Sequence, residues 1–287
     1  MGGSEPTVPV PSPDLEITSF QNPRVKLARA LRDRRDRDRE GLFLVEGYRE
    51  LLRAAEAQAP VQELFFCPDW FQGSNEGRLL ARWRELGARL IQVPGPVFER
   101  MSYRDRPEGL LGLCAQKRMT LEDLPLSANP FLVVAEAIEK PGNLGTILRS
   151  ADAAGLDGVI VADAKTDLFN PNVVRASIGT LFTVPAVQVE STVAQRFLRE
   201  RKIRSFAATP FGKVRYTDTD LSGPVAIVMG SEQYGLSDLW MQGADMRLRI
   251  PMMGRADSLN VATATTLMLF EVVRQRGWEG VIPEGIF

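Results

Sequence analysis

The sequence predicts an α/β protein in which a parallel-sheet domain follows a smaller α/β domain. Three observations lead there. From residue 131 onward, short runs of strand length alternate with helical patterns. Those runs are apolar throughout, which suits strands covered by helices on both faces. A polar stretch holding Pro125 and Pro130 separates this region from an earlier one with its own strand and helix signals. The organisation expected is a disordered tail over 1–13, a small domain over 14–118, a linker over 119–130 and the main domain over 131–287.

In the small domain, 42–45, 63–67, 90–93 and 110–116 read as strands. Residues 46–58 and 76–86 read as helices, the first with Leu51, Leu52 and Ala55 at helical spacing. In the main domain, 131–135 is the first strand and 143–154 a helix closed by Gly155. A strand at 158–162, a helix at 172–178 and an extended stretch at 182–189 follow, the last despite Pro185. Then come a helix at 193–201 and strands at 204–208, 225–229 and 246–250. A long helix over 258–276 ends the pattern, with Ser258 in capping position. In sheets of this kind, ligands sit at the carboxyl ends of the strands.

Composition narrows the chemistry. The 287 residues are 44% hydrophobic, enough for one large core or two modest ones. There is no histidine, which removes Ser-His-Asp and Cys-His catalysis, histidine-based zinc sites and the usual general base. The two cysteines, Cys67 and Cys114, form no metal-binding or redox pair, so a reduced, cytoplasmic protein without a metal is expected. No apolar run approaches the roughly 20 residues that span a bilayer. The net charge is −1, yet 24–39 carries 8 basic and 3 acidic residues. Such a stretch can hold phosphates, and a solvated helix face of mixed charge accounts for it as well.

Three segments follow predicted strands and combine glycine with polar side chains. The first runs from Asn143 through Gly145 to Arg149. Leu144, Ile147, Leu148 and Ala151 make its apolar stripe, Arg149 lies off it, and Asn143 is placed to cap the helix. Gly145 would leave room for a ligand or another chain. The second, 229–236, carries Gly230, Ser231, Glu232 and Gly235 in a loop whose backbone can approach a ligand closely. The third, 250–260, leads from Ile250 to Ser258, Leu259 and Asn260 at the start of the last helix, where free N–H groups and the positive dipole end favour polar ligands. Asn260 within the first turn of an apolar helix has no evident structural reason. Taken singly, each segment is also accounted for by a helix cap or a tight turn.

In order and spacing, the three segments resemble the motifs of the SpoU (TrmH) family of RNA ribose 2'-O-methyltransferases, of the SPOUT class. The stretch 43–50 resembles the family's L30e-like RNA-binding module. The resemblance implies a catalytic sheet with a C-terminal trefoil knot, with 237–260 threading a loop. It implies S-adenosyl-L-methionine as cofactor, contacted by Gly230, Ile250 and Leu259 largely through backbone, with Thr209 as a further candidate. Arg149, Asn143, Glu232, Ser258 and Asn260 would be catalytic. Arg149 would take the ribose proton or, being protonated at working pH, stabilise developing charge. A homodimer acting on RNA is implied, most readily 23S rRNA. A role in antibiotic resistance of the avilamycin type is kept open, and 24–39 is expected to contact RNA. The alternatives are a non-catalytic RNA-binding or ribosome-assembly factor, a tRNA 2'-O-methyltransferase and a base methyltransferase.

Overall fold

A computed structural model describes residues 8–278. They form two compact units. The first holds residues up to 117 together with Phe169–Thr183; the second holds Arg118–Leu168 and the chain from 184 onward.

The first unit runs β1 (Leu15–Glu16), α1 (Pro23–Ala30), α2 (Arg34–Glu40), β2 (Leu42–Glu46), α3 (Tyr48–Glu56), β3 (Val61–Phe66), α4 (Glu76–Glu85), β4 (Arg89–Gln92), α5 (Gly95–Met101) and β5 (Leu110–Ala115). Its sheet has the order β1-β4-β3-β5-β2, with β5 antiparallel to both neighbours. Each face carries its own core. Phe43, Leu64, Phe66, Leu80 and Trp83 are buried on one face, and Leu44, Phe65, Ile91, Phe98 and Leu111 on the other. This is the alternation a strand imposes on successive side chains.

The second unit continues with β6 (Phe131–Glu136), α6 (Pro141–Ala153), β7 (Gly158–Ala162), α7 (Pro171–Ser177, counted with the first unit), β8 (Ala186–Val189), α8 (Ser191–Glu200), β9 (Arg204–Ala208), β10 (Val214–Arg215), β11 (Val225–Met229), α9 (Asp238–Gly243), β12 (Met246–Arg249) and α10 (Val261–Gln275). Its strands pair in the order β10-β12-β9-β11-β6-β7-β8, all parallel. Every residue of β6, β7 and β11 is buried, because helices cover both faces. Trp240 of α9 is fully buried, and its indole N–H donates to Ser191 Oγ at 3.2 Å. Among the described residues no helix is long and apolar enough to cross a membrane.

Several expectations need correction. The tail expected over 1–13 is docked from Val8 onward: the carbonyls of Val8 and Pro9 lie against Gly77 of α4, where any side chain would collide. Residues 1–7 of that tail lie outside the described residues. The linker is not a bare tether, because Leu121 and Leu124 are buried in the core of the second unit. Its Thr120 and Asp123 bond reciprocally around a short 3-10 turn. The extended stretch begins only after Pro185; Thr180–Phe182 is a 3-10 turn. The basic run 24–39 folds as α1 and α2, and much of its charge is committed. Arg37 is buried on the carbonyls of Leu31 and Arg32, Arg24 pairs with Glu63, and Arg39 pairs with Asp36.

The segment Phe169–Thr183 departs most from a linear division of the chain. It leaves the second sheet after β7, adds Phe169 and Val174 to the core of the first unit, and returns to β8. The Phe169 ring lies 4.9 Å from that of Phe43, and the Phe182 ring stacks on Phe43 at 6.1 Å. Gly179, at φ +82°, lets the chain turn close against Arg53 and Glu50 of α3. Replacing Phe169 by alanine is expected to cost about 3 kcal/mol of stability through lost burial and an incompletely collapsed cavity. Chemical denaturation of the full chain measures this, and an unchanged midpoint would show that the ring adds nothing to the core.

Candidate active site

The polar residues singled out in the sequence gather at the carboxyl ends of β6, β11 and β12, where loops leave the sheet. Asn143 is not the cap of α6. Pro141 starts the helix, its fixed φ suiting the first turn, and Asn143 is the third helical residue. Asn260, not Ser258, caps α10. Its Oδ1 accepts from the backbone N–H of Ala262 at 3.0 Å and of Thr263 at 3.3 Å. This settles the puzzle of a polar residue at the head of an apolar helix, since two of the otherwise unpaired N–H groups of the first turn need an acceptor.

The cap also fixes which way the Asn260 amide faces. With Oδ1 turned to the helix, Nδ2 points outward. It donates to Glu232 Oε1 at 2.8 Å and to Asn143 Oδ1 at 3.1 Å. Asn143 Nδ2 donates to the same Glu232 oxygen at 2.7 Å. Three side chains from three motifs thus form one closed network. Lys140, just before α6, completes it by pairing with the other Glu232 oxygen. The Lys140 contact first, then the Asn143 amide, hold the Glu232 carboxyl below its ordinary range. Glu232 therefore remains an ionised acceptor at neutral pH, and the network is lost only as pH falls through that depressed value.

Beside the network lies a cavity of about 330 Å³. It is bounded by the loops after β9, β11 and β12 and includes Thr209, Gly230, Glu232, Ile250, Ser258 and Leu259 in its lining. Gly230 has a steric reason: a side chain there would collide with the Gly235 backbone, which doubles back to pair Ser231 with Gly235. The Thr209 hydroxyl is engaged in its own loop, accepting from the Phe211 N–H at 3.3 Å. Glu136, at the end of β6, is buried and anchors the exit of the β11 loop: it accepts from the Ser237 N–H at 2.9 Å and from Ser237 Oγ at 2.6 Å.

Not every expected residue joins. Arg149 is exposed, six positions beyond Asn143 on α6 or about 9 Å along the axis. It does not line the cavity, and no hydrogen bond or ion pair links it to another described residue. Gly145 is buried and does not line the cavity. Sequence reasoning missed Lys140, Glu136 and Phe211; Tyr234, Leu236 and Met252 line the cavity from within the second and third segments, without having been picked out there. Lys140 was within reach, since Pro141 is a helix-start signal and places it at the cap. The others become visible only once three loops distant in sequence converge.

Comparison with known proteins places the chain among relatives of known family. Residues 130–270 match the SpoU rRNA Methylase family, and 22–112 match an MRM3-like substrate binding domain. A 23S rRNA (uridine(2479)-2'-O)-methyltransferase of Streptomyces viridochromogenes is 34% identical over 86% of this chain and 87% of its own. The 23S rRNA (guanosine(2553)-2'-O)-methyltransferase RlmP of Bacillus subtilis is 26% identical over 90% and 98%. The crystal structure of an AdoMet-bound rRNA methyltransferase from Sinorhizobium meliloti superposes with a TM-score of 0.82, at 34% identity, over 91% of this chain and 98% of that one.

The double use of Asn260 makes a distinguishing prediction. Asn260→Ala removes a helix cap and should lower stability by about 1 kcal/mol, whereas Asn143→Ala, which caps nothing, should leave the melting temperature nearly unchanged. Thermal unfolding of both variants checks this; equal losses would mean that the cap contributes little. Gly230→Ala should force the loop backbone apart at Gly235 and Leu236 and lower the melting temperature, and an unchanged thermal midpoint would refute the steric reading. With the network, the cavity and the matches over most of its length, this chain belongs to the SpoU rRNA methylase family.

Proposed function

We propose that the protein transfers a methyl group from S-adenosyl-L-methionine to a ribose 2'-hydroxyl of ribosomal RNA, with 23S rRNA as substrate. The observation that carries the reading is the junction of cavity and network, since Glu232 belongs to both. The cavity fits the cofactor by chemistry. Apolar side chains such as Leu236, Ile250 and Met252 suit a nucleoside and an aliphatic chain, and Gly230 lines the same wall. Gly230, Ile250 and Leu259 would hold it, with Thr209 shaping the loop beside it. When bound, S-adenosyl-L-methionine supplies a methyl already activated on a sulfonium centre.

The chain's own task is then positioning. Asn143, Glu232 and Asn260 present a preformed set of donors and an ionised acceptor, so the ribose can be oriented without reorganising the site. Ser258, exposed on the cavity wall, offers a further hydroxyl. Arg149 acts as a cation, holding phosphate or stabilising charge on the 2'-oxygen, because guanidinium keeps its proton in proteins.

The protein works as a homodimer with its sites near the interface. Two features favour this. Arg149 is exposed and unengaged among the described residues, and α10, which packs on α6, exposes Leu267, while the exposed Trp278 lies 6.4 Å from the half-buried Phe270 ring. The chain path from β11 out to β12 and back to α10 beside α6 suits the threaded C-terminus that the family resemblance implies.

The deciding experiment is transfer of labelled methyl from S-adenosyl-L-methionine to purified 23S rRNA, 16S rRNA and tRNA, followed by alkaline hydrolysis. Label in an alkali-resistant dinucleotide from 23S rRNA, reduced at least about 100-fold by Arg149→Ala, is the expected outcome. Label in mononucleotides would mean base methylation, and label only in tRNA would move the substrate. RNA binding without transfer would leave a non-catalytic factor. Because the two 23S rRNA relatives act on a uridine and a guanosine, the target base has to be mapped, and any resistance role follows from where that nucleotide lies on the ribosome.

A further inference from the structure

Beyond the cavity, the β10–β12 edge of the second sheet carries an arrangement that the methyl-transfer reading does not use. Arg247 and Arg249 lie two residues apart on β12, so both project from the same face, about 6.6 Å apart along the strand. Leu248 between them points the other way and is fully buried. In the parallel pair of β10 with β12, Arg215 is the register partner of Arg249, which places a third guanidinium on that face. All three arginines are exposed.

Like charges in register are unfavourable, and internal compensation is slight. Asp218 pairs with Arg215 at 2.6 Å. Asp245, the other carboxylate beside β12, is taken up by the Ser205 N–H and hydroxyl at 2.7 and 2.8 Å. Arg247 and Arg249 have no hydrogen bond or ion pair to any described residue. Lys213, two residues before Arg215, is exposed as well.

The place of this cluster relates it to the cavity. Arg249 directly precedes Ile250, a cavity residue, and Phe211, another, lies four residues before Arg215. Gly212 between them is pressed onto the backbone of Leu248 and Arg249, leaving no room for a side chain. The cations and the cavity wall are therefore one continuous piece of chain. Phe211 is 81% exposed at the join, an unusual cost for an aromatic ring unless something covers it.

We propose that Arg215, Arg247 and Arg249 form a phosphate-binding edge that holds the RNA strand whose ribose is presented to the network beside the cavity, as a contact surface separate from the N-terminal unit. The inference rests on the methyl-transfer reading for the identity of the ligand. An RNA strand fits where an acidic protein surface would not, because the exposed Phe211 ring beside the cations offers a base a stacking face, and the methyl transfer requires an RNA ribose at the adjoining network.

The test compares wild type, Arg247→Ala/Arg249→Ala and a control, Arg196→Ala/Lys202→Ala, which removes the same charge elsewhere on the second unit. A 23S rRNA fragment that the wild type binds is titrated at several salt concentrations, with S-adenosyl-L-methionine affinity and light scattering measured in parallel. The β12 variant should bind RNA about tenfold more weakly, with the slope of log affinity against log salt reduced by about 1.4, as loss of two phosphate contacts to a single strand requires. KM for RNA should rise while kcat and cofactor affinity stay near wild type. Unchanged RNA affinity and salt slope would overturn the proposal, as would a change of oligomeric state with RNA affinity intact, which would make this edge an interface between copies. Weakened RNA binding in a protein that transfers no methyl would leave the surface standing and remove the activity instead.

Discussion

The site depends on one side-chain amide used at both ends. Asn260 turns its oxygen inward to cap α10 and, by that act alone, turns its nitrogen outward to Glu232 and Asn143. The orientation of an exposed amide is ordinarily a weak preference. Here the helix fixes it, because the other rotamer would set NH₂ against backbone N–H groups. Glu232 and the Asn143 side-chain oxygen then share a fixed donor, and Lys140 neutralises the charge that gathers there. The helix cap and the network are met by the same geometry of Asn260, so neither can be relaxed independently.

The scaffold supports that amide through the parallel sheet. Parallel strands with helical crossovers bring every strand's carboxyl end to one edge, so loops far apart in sequence meet there. β6, β11 and β9 are neighbours in the sheet, and their outgoing loops supply Lys140 with Asn143, Glu232, and Thr209 with Phe211. Glu136 holds the β11 loop where it rejoins the fold at Ser237. The fold at Gly230 and Gly235 keeps the loop's backbone flat against itself. The cavity is the space left when these loops are held apart by packed strands and tied at their ends.

The first unit shows a different economy. Its sheet buries residues on both faces, and the face holding Phe43 is completed by Phe169, Val174 and Phe182 from a segment that leaves the second sheet between β7 and β8. A core finished by a remote segment makes the first unit's stability depend on chain beyond residue 117. Of the basic run in α1 and α2, Lys26, Arg29 and Arg35 remain exposed, while Arg37 closes the turn between the helices.

The sequence by itself determined the α/β class, the strands from β6 to β12 apart from the two-residue β10, the exclusion of histidine chemistry and the three polar segments. These are local properties: continuous apolar runs, glycine in loops and a missing residue type need no tertiary context. It misplaced both caps, Asn143 for Lys140 and Ser258 for Asn260, because polar residues crowd each helix start and only the hydrogen bonds choose among them. The tertiary structure alone decided that Asn143, Glu232 and Asn260 share one network while Arg149 stands apart from it, that Phe169–Thr183 completes the other unit's core, and that Arg215 stands beside Arg249. Those facts follow from strand order and register, which are set by how whole faces pack and leave no trace in the spacing of residues along the chain.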